Sequence, residues 1–234
     1  MSALRLSDLL RRDVATDPVI TGVTADSRKV APGALFVALP GTAADGRAFI
    51  PQALAQGAAA VLAPSDTPDE AAPVLVTSGD VRRAYAIAAR GFYGAQPKTC
   101  VAVTGTNGKT SVAAFCRQIW AGVGHKSASM GTLGVVGQKG GKTYALTGPG
   151  LTSPDAAEAA RLMAELARKD VTHVALEASS HGIDQRRLDG VALKAAAFTN
   201  LTQITSIITA RCRTIAPPRC ACSRRCCRGA APPC

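Results

Sequence analysis

Short apolar runs alternate with turn-forming residues along the first part of the chain. The runs cover residues 34–39, 58–63 and 74–77, and the turn-forming residues between them include Pro40, Gly41, Pro64 and Ser65. Apolar runs of this length, bounded by glycine, proline and serine, are typical of β-strands. We therefore predict that the chain begins with a small α/β domain.

A helical pattern follows these strands. Its apolar positions are Val81, Tyr85, Ala88, Ala89 and Phe92. This spacing puts the five side chains on one face of an α-helix. Gly91, Gly94 and Pro97 then end the pattern, because glycine and proline are weak helix formers. We expect the first domain to occupy residues 1–94, with a boundary between residues 94 and 97.

The second domain opens with a β-prone run at residues 99–103, which leads through a glycine-rich turn into a helix from Lys109 to about Trp120. The apolar runs at residues 171–176 and 195–198 are typical of buried strands. Strands that alternate with helices imply crossover connections, which make neighbouring strands parallel. The predicted fold class is therefore α/β, with a mainly parallel sheet in the second domain.

A further helix is predicted to start at Ser153. Ser153 would be its N-cap and Pro154 its first residue. Asp155 would lie in the first turn, where the helix dipole favours a carboxylate. The apolar positions of this helix are Leu162, Met163 and Leu166.

Charge changes this picture only near the C-terminal end. The chain carries 27 basic and 16 acidic residues, and six of the arginines lie in residues 204–234, which hold no lysine and no acidic residue. The remainder is only mildly basic, so the net charge of +11 does not by itself indicate a nucleic-acid partner. No apolar run approaches the roughly 18 residues needed to cross a bilayer, and the first residues do not resemble a secretory signal. We expect a cytoplasmic monomer that binds neither membranes nor nucleic acid.

The strongest chemical signal is the stretch T-G-T-N-G-K-T at residues 104–110, between the predicted strand and helix. Glycines let the backbone curl so that its N–H groups face a phosphate. Lys109 would bring its charge to the β- and γ-phosphates, and Thr110 would offer its hydroxyl to Mg²⁺. A chance Gly-Lys-Thr turn is the alternative. The predicted ATP contacts in this loop are Gly105, Thr106, Asn107, Gly108, Lys109, Thr110 and Ser111.

This loop departs from the usual G-x-x-x-x-G-K-S/T pattern, because Val103 stands at the position of the first glycine. The variant resembles the phosphate loop of the Mur ligases and the folylpolyglutamate synthases. Members of these families activate a carboxylate as an acyl phosphate, which an amine then attacks. The resemblance implies the same chemistry here, with ATP and Mg²⁺ as cofactors and Lys109 as a catalytic residue.

Motifs before the loop resemble the MurE branch of the Mur ligases, the UDP-N-acetylmuramoyl-tripeptide synthetases. The similar stretches are D-S-R at residues 26–28, P-G-A-L-F-V-A at residues 32–38, D-G-R at residues 45–47 and F-I at residues 49–50. By this resemblance Ser27, Thr42, Ala43 and Ala44 contact the uridine end of the substrate. A polar turn is the alternative for each of them.

The segment L-T-S-P-D at residues 151–155 is similar to the family's T-T-P-D segment, in which two hydroxyl residues bind the muramoyl peptide. The resemblance makes Thr152 and Ser153 substrate contacts. Ser153 can be both a contact and an N-cap.

A carboxylate follows the buried strand predicted at residues 171–176. Ligands of open α/β sheets bind at the carboxyl ends of the strands, so Glu177 is a candidate catalytic residue and Mg²⁺ ligand beside Thr110. A lone glutamate at a strand end is otherwise solvated or paired. The segment E-A-S-S-H-G at residues 177–182 also resembles the family, and by that resemblance Ser179, Gln185 and Arg187 contact the substrate.

Two further residues receive roles from the same resemblance. His181 would be catalytic, although a packed histidine is the alternative. Asn200 ends an F-T-N-L strand and would face the nucleotide and the metal.

The resemblance covers residues 1–203 and stops there. The family continues with D-H-L-D-Y-H-G and a lysine that is carbamylated, whereas residues 204–210 read I-T-S-I-I-T-A. These seven residues can be encoded as ATC ACC TCG ATT ATC ACG GCA, and one additional G in front gives codons for D-H-L-D-Y-H-G. We interpret residues 204–234 as a frameshifted, disordered tail. Its cysteines lack paired C-x₂-C spacing, and its arginines come without aromatic residues, so zinc or nucleic-acid binding is less well supported.

These observations predict a small UDP-binding α/β domain followed by an incomplete P-loop ATPase domain at residues 95–203. The resemblance implies an ATP-dependent ligase that adds the third amino acid, diaminopimelate or lysine, to UDP-N-acetylmuramoyl-L-alanyl-D-glutamate. Its partners would be this UDP-muramoyl dipeptide and an amino acid. The alternative is an inactive fragment that only binds nucleotide or UDP-muramoyl peptide. A small-molecule P-loop kinase is disfavoured by Val103 and by the E-A-S-S-H-G segment.

Overall fold

The computed structural model describes residues 4–41, 44–146 and 153–201. These residues form two compact units, and the chain passes from the first to the second between Gly94 and Ala95. The predictions of a disordered tail at residues 204–234 and of substrate contacts at Thr42, Ala43 and Thr152 lie outside the described residues.

The first unit is built on a parallel sheet of four strands. Its strands and helices are β1 (Leu4–Arg5), α1 (Leu6–Leu10), β2 (Val19–Ile20), β3 (Gly22–Thr24), β4 (Ala34–Val37), α2 (Ile50–Ala55), β5 (Ala60–Pro64), β6 (Leu75–Ser78) and α3 (Val81–Tyr93). The parallel sheet has the order β3-β4-β5-β6, and β1 pairs with β2 in a separate antiparallel ribbon. Each of the three predicted strands is present within two residues of its predicted start.

Helix α3 begins after a capping aspartate and ends at a glycine. The Asp80 carboxylate accepts a hydrogen bond of 3.1 Å from the Arg83 amide, and Gly94 closes the helix with a φ of 78°. The prediction that Gly91 helps to end the helix is wrong. Gly91 lies inside α3 because it faces Leu9 of α1, where an added β-carbon would come within 3.3 Å of the leucine side chain.

The second unit contains a mixed sheet of six strands. Its elements are β7 (Thr99–Thr104), α4 (Lys109–Gly122), β8 (Ser127–Gly131), β9 (Gly134–Lys139), β10 (Lys142–Leu146), α5 (Ala156–Arg168), β11 (His173–Glu177), α6 (Ser180–Asp184) and β12 (Leu193–Phe198). The strand order is β10-β9-β8-β11-β7-β12, in which β8, β11, β7 and β12 are parallel and β9 and β10 are antiparallel. The predicted α/β class is confirmed, while the β8–β10 meander was not predicted.

Strand β11 is buried as predicted, but β12 is not. β12 pairs only with β7 among the described strands, and Lys194, Ala195 and Phe198 are exposed. A short apolar run cannot distinguish a central strand from an edge strand, because that difference depends on which elements cover it.

Helix α5 starts two residues later than predicted. Asp155 is the N-cap, and its carboxylate accepts a hydrogen bond of 2.9 Å from the Glu158 amide. Ser153 cannot cap the helix because its hydroxyl is buried in contacts elsewhere. The buried face of α5 packs against β8 and β11, in a core that includes Met130, Leu162, Met163, Leu166, Val174 and Leu176.

No helix in the described part of the chain is both long enough and apolar enough to span a bilayer.

Candidate active site

The glycine-rich loop connects β7 to α4, as the sequence predicts. Gly105 and Gly108 have φ angles of 137° and 81°, which non-glycine residues rarely adopt. Gly108 is the N-cap of α4, and no side chain bonds to the helix end there. Thr110 and Ser111 therefore lie in a first turn whose backbone N–H groups are directed at the loop, an arrangement suited to a phosphate.

The Lys109 ammonium group lies over this loop. Its Nζ donates to the carbonyl oxygens of Gly105 and Thr106 over 2.9 and 3.1 Å. The side chain is thus folded back onto the turn instead of entering the core. From this position the positive charge is available to an anion seated at the start of α4.

Helix α4 is fixed to the sheet by Arg117, two turns after the loop. The buried guanidinium donates to the Ser129 hydroxyl of β8 over 2.9 Å and to the Gln138 side chain of β9 over 3.1 Å. Burial lowers the pKa of Arg117 from its ordinary value. These bonds hold the helix, and with it the phosphate loop, in place over neighbouring strands.

The residues after β12 hold the other side of the loop. The Asn200 carbonyl accepts from the Thr106 amide over 2.8 Å, and its side-chain oxygen accepts from the Asn107 amide over 3.1 Å. The Thr199 hydroxyl donates to the Asn107 carbonyl over 2.7 Å. A β-carbon on Gly105 would overlap that hydroxyl, so only glycine fits the turn. Asn200 therefore lies at the predicted site, but its amide is bonded to the loop backbone.

Glu177 ends β11, in the strand directly beside β7. Glu177 pairs with Val103, the last but one residue of β7, so its carboxylate lies next to the start of the phosphate loop. The side chain is only 4% exposed. Its two oxygens accept from the Thr132 amide over 3.1 Å and from the Thr132 hydroxyl over 3.3 Å.

A divalent cation fits this carboxylate. No lysine or arginine among the described residues forms an ion pair with Glu177, so its buried charge has only the neutral Thr132 donors. Mg²⁺ is commonly held by one or two protein oxygens together with substrate phosphates and water. The predicted ligands, Glu177 and Thr110, carry oxygens of this kind. The described residues contain no cluster of three or more histidine, cysteine or acidic side chains that could hold a metal ion.

Gly131 and Thr132 belong to this site and were missed by sequence reasoning. A β-carbon on Gly131 would overlap the Glu177 carboxylate, so the glycine creates the space that the carboxylate fills. Thr132 then supplies both hydrogen bonds to it. The available signal was a Gly-Thr pair like the one in the phosphate loop, but it follows the stretch S-A-S-M at residues 127–130, whose two serines hide the strand.

A second cluster adjoins Glu177 through backbone contacts. The buried Ser153 hydroxyl donates to the Glu177 carbonyl over 3.2 Å and accepts from the Ser179 amide over 3.1 Å. Ser179 is the N-cap of α6, and its hydroxyl accepts from the Gly182 amide over 3.0 Å. The guanidinium of Arg187 donates to the Ser153 carbonyl over 2.6 Å. Three predicted substrate contacts, Ser153, Ser179 and Arg187, are therefore neighbours.

Gln185 and His181 complete this cluster. The Gln185 oxygen accepts from Arg187 Nε and Nη2 over 3.0 and 2.7 Å. Its amide nitrogen lies 2.7 Å from His181 Nε2. Because Gln185 is held on both sides within the protein, its amide is already engaged where the sequence predicts a substrate contact.

The predicted uridine contacts belong to the first unit. Ser27 begins a 3₁₀ turn capped by Asp26, is 8% exposed, and donates to the Gln52 side chain over 2.9 Å. The side-chain hydrogen bond from Arg28 lowers the pKa of Asp26. Ala44 is described just before Asp45, whose carboxylate bonds Arg47 and so shapes the following turn. The uridine contacts remain predictions, as do the individual roles of the residues in the second unit.

Sequence profiles of two domains match this chain. The profile described as Mur ligase family, catalytic domain, matches residues 19–93, and the profile described as Mur ligase middle domain matches residues 103–204. The matches fall on either side of the boundary between the two units.

The chain is also similar to curated ligases. The UDP-N-acetylmuramoyl-L-alanyl-D-glutamate–2,6-diaminopimelate ligase of Caulobacter vibrioides is 64% identical over 200 residues, which cover 85% of this chain and 41% of the relative. The protein of the same name from Rhizobium meliloti is 57% identical over 196 residues, which cover 84% of this chain and 39% of the relative. The chain spans about two fifths of the length of these relatives.

Solved structures agree with the fold. A structure of a UDP-N-acetylmuramoyl-L-alanyl-D-glutamate–2,6-diaminopimelate ligase has a TM-score of 0.78 at 25% identity and covers 93% of this chain and 44% of its own. A MurF ligase from Thermotoga maritima in complex with ADP has a TM-score of 0.54 at 21% identity and covers 91% of this chain and 43% of its own.

Proposed function

The chain belongs to the Mur ligase family, and we propose that it carries the UDP-muramoyl-peptide-binding and ATP-binding parts of a cytoplasmic ligase that extends UDP-N-acetylmuramoyl-L-alanyl-D-glutamate. The incoming amino acid we propose is diaminopimelate, because that compound is in the names of the similar curated relatives. The sequence motifs alone leave diaminopimelate and lysine open.

One observation carries this proposal. The phosphate loop, Glu177 and Asn200 lie at the carboxyl ends of three adjacent parallel strands, β7, β11 and β12. Ligands of open α/β sheets bind at this edge. Ser153, Ser179 and Arg187 form a cluster that is bonded to the Glu177 carbonyl through the Ser153 hydroxyl. A peptide bound at this cluster would therefore lie close to the phosphates.

The residues of the site suit phosphoryl transfer to a carboxylate. Lys109 and the N–H groups at the start of α4 would bind the phosphates of ATP and place the γ-phosphoryl group. Glu177 and Thr110 would hold Mg²⁺, which supplies positive charge against the reacting phosphates when it is bound. Ser153, Ser179 and Arg187 would orient the peptide, whose carboxylate is phosphorylated before the amine of the amino acid displaces phosphate.

A second candidate is binding without turnover. Residues 204–210 read I-T-S-I-I-T-A where the family continues D-H-L-D-Y-H-G, and the profile of the middle domain ends its match at residue 204. The lysine segment that follows in the family is also absent from residues 204–234. We therefore expect the 234-residue chain to bind its substrates but to make little or no tripeptide product.

Substrate titrations on the full chain test the proposal. ADP with Mg²⁺ should bind to the second unit, and UDP-N-acetylmuramoyl-L-alanyl-D-glutamate should bind more tightly to the wild type than to a Ser27→Ala, Thr42→Ala double variant. A product assay with ATP, Mg²⁺, the UDP-dipeptide and diaminopimelate separates the two candidates. Tripeptide formation at an ordinary enzymatic rate would eliminate binding without turnover, and absence of both binding events would overturn the proposal.

A further inference from the structure

Three side chains near the proposed peptide site form a directional chain of hydrogen bonds. Arg187 donates through Nε and Nη2 to the Gln185 oxygen, over 3.0 and 2.7 Å. The Gln185 amide nitrogen lies 2.7 Å from His181 Nε2. Arg187 is itself anchored by its 2.6 Å bond to the carbonyl of Ser153, which is 3% exposed. This series of hydrogen bonds thus starts at the carbonyl oxygen of a buried residue.

The chemistry of these groups fixes the direction of each bond. A guanidinium group can only donate, so the Gln185 atom that faces its two N–H groups is the carbonyl oxygen. The NH₂ group of Gln185 must then face His181, and an amide NH₂ also can only donate. His181 Nε2 therefore accepts, which requires a lone pair on that nitrogen. The ring is neutral with its proton on Nδ1.

We propose that Arg187 and Gln185 form a relay that holds His181 in the Nδ1–H tautomer, and that this N–H donates to an acceptor oxygen of the bound peptide. In this arrangement Gln185 is a positioning residue, and His181 is a specificity-determining residue that selects an acceptor over a donor. The second half of the inference rests on the proposed function, because it takes the neighbouring cluster to be the peptide site.

The surroundings of His181 support a donor that faces a ligand. Nδ1 makes no hydrogen bond with any described residue, whereas Nε2 is engaged with Gln185. His181 lies in α6, two residues after Ser179. The hydroxyl and amide of Ser179 contact the Ser153 hydroxyl, which also donates to the Glu177 carbonyl. A partly exposed N–H at this position is available to a peptide oxygen, and a site built to donate rejects ligands that lack the acceptor.

The tautomer can be read directly from long-range ¹⁵N–¹H correlation spectra of the full chain, recorded at about pH 8, where an ordinary histidine is neutral. The wild type should show His181 protonated on Nδ1. Gln185→Glu keeps the size of the side chain and its contact with Arg187 but replaces the NH₂ donor by an acceptor. His181 should then move its proton to Nε2.

Two results would overturn the relay: a wild-type ring protonated on Nε2, or an unchanged tautomer in a folded Gln185→Glu variant. The wild-type spectrum decides the assignment even if that variant does not fold, and circular dichroism establishes whether it does. Neither measurement depends on substrate, so the relay can stand when the proposed function fails.

Binding of the peptide tests the second half. An asparagine at position 181 can place its amide N–H near the position of Nδ1, whereas a glutamine reaches toward that of Nε2. In titrations with UDP-N-acetylmuramoyl-L-alanyl-D-glutamate, His181→Asn should stay within about threefold of the wild type, and His181→Gln should bind about tenfold more weakly, the value of one neutral hydrogen bond. Equal losses in both variants would contradict donation from Nδ1. Failure of the wild type to bind this compound would overturn the proposed function and the role of His181 in binding. The relay would still be tested by the NMR spectra.

Discussion

The Glu177 carboxylate occupies the space that a side chain on Gly131 would need. Their strands, β11 and β8, are parallel neighbours, and an added β-carbon on Gly131 would overlap the carboxylate oxygen and the two carbons behind it. The following residue, Thr132, binds both carboxylate oxygens. A single strand end thus supplies the space and the hydrogen bonds that fix the proposed Mg²⁺ ligand.

Gly131→Ala should therefore displace Glu177. We expect a destabilisation of about 1–3 kcal/mol from overpacking and a loss of more than tenfold in Mg²⁺-dependent ADP affinity. Gly122→Ala is the matched control, because a β-carbon there meets nothing within 4 Å and Gly122 is helical. That variant should not lose stability, because alanine is compatible with a helical conformation and restricts the unfolded chain. Urea unfolding and calorimetric titration measure both quantities, and normal ADP binding by Gly131→Ala would contradict the role given to Glu177.

Lys109→Met should weaken nucleotide binding. The ammonium group donates to the carbonyl oxygens of Gly105 and Thr106, which places its charge at the start of α4, where we expect the phosphates to bind. A charge-assisted hydrogen bond contributes about 1.5–3 kcal/mol, which corresponds to roughly 10- to 150-fold in affinity. Lys142→Met removes an exposed lysine from β10 and should bind ADP normally. Equal affinity of the two variants for ADP would contradict a role of Lys109 in nucleotide binding.

Asp155 and Ser153 should respond differently to alanine substitution. Asp155→Ala removes the N-cap of α5 and should cost about 1 kcal/mol, which Asp155→Asn should largely restore. Ser153→Ala leaves the Ser179 amide without its acceptor in a buried site and should cost about 1–3 kcal/mol. Only the Ser153 variant should also weaken binding of the UDP-dipeptide. Chemical unfolding followed by the same titration distinguishes the two residues.

His173 should titrate below the ordinary histidine pKa of 6.5. Burial lowers its pKa first, and the stacked His125 ring, 4.0 Å away, lowers it further. The unfolded chain therefore binds more protons than the folded one below about pH 6.5, so the contribution of His173 to stability is complete above that pH and is lost as the pH falls toward the folded-state value. Replacement of His125 by glutamine should raise the pKa of His173 part of the way toward 6.5. Proton NMR titration of the imidazole measures it, and an unchanged value would exclude the contribution of His125.

Local pattern was enough to predict several elements. The strand before the phosphate loop, the loop itself and α4 were predicted because glycine spacing and apolar periodicity are properties of adjacent residues. The same local reasoning failed at Ser153, where a competing tertiary contact removed the hydroxyl from the helix end. It also missed β8, β9 and β10, whose short, polar-rich strands give only a weak alternation of apolar residues.

The sequence by itself determined the family motifs, the phosphate loop and several helices and strands, because each of these depends on residues close together in the chain. Only the tertiary structure decided that β11 lies between β8 and β7, so that Glu177 meets Gly131 and Thr132 some 45 residues earlier. It likewise brought Asn200 to Asn107 and placed Gln185 between His181 and Arg187. Strand order, sheet register and the direction of a hydrogen bond arise from contacts between distant segments, and no local pattern of residues encodes them.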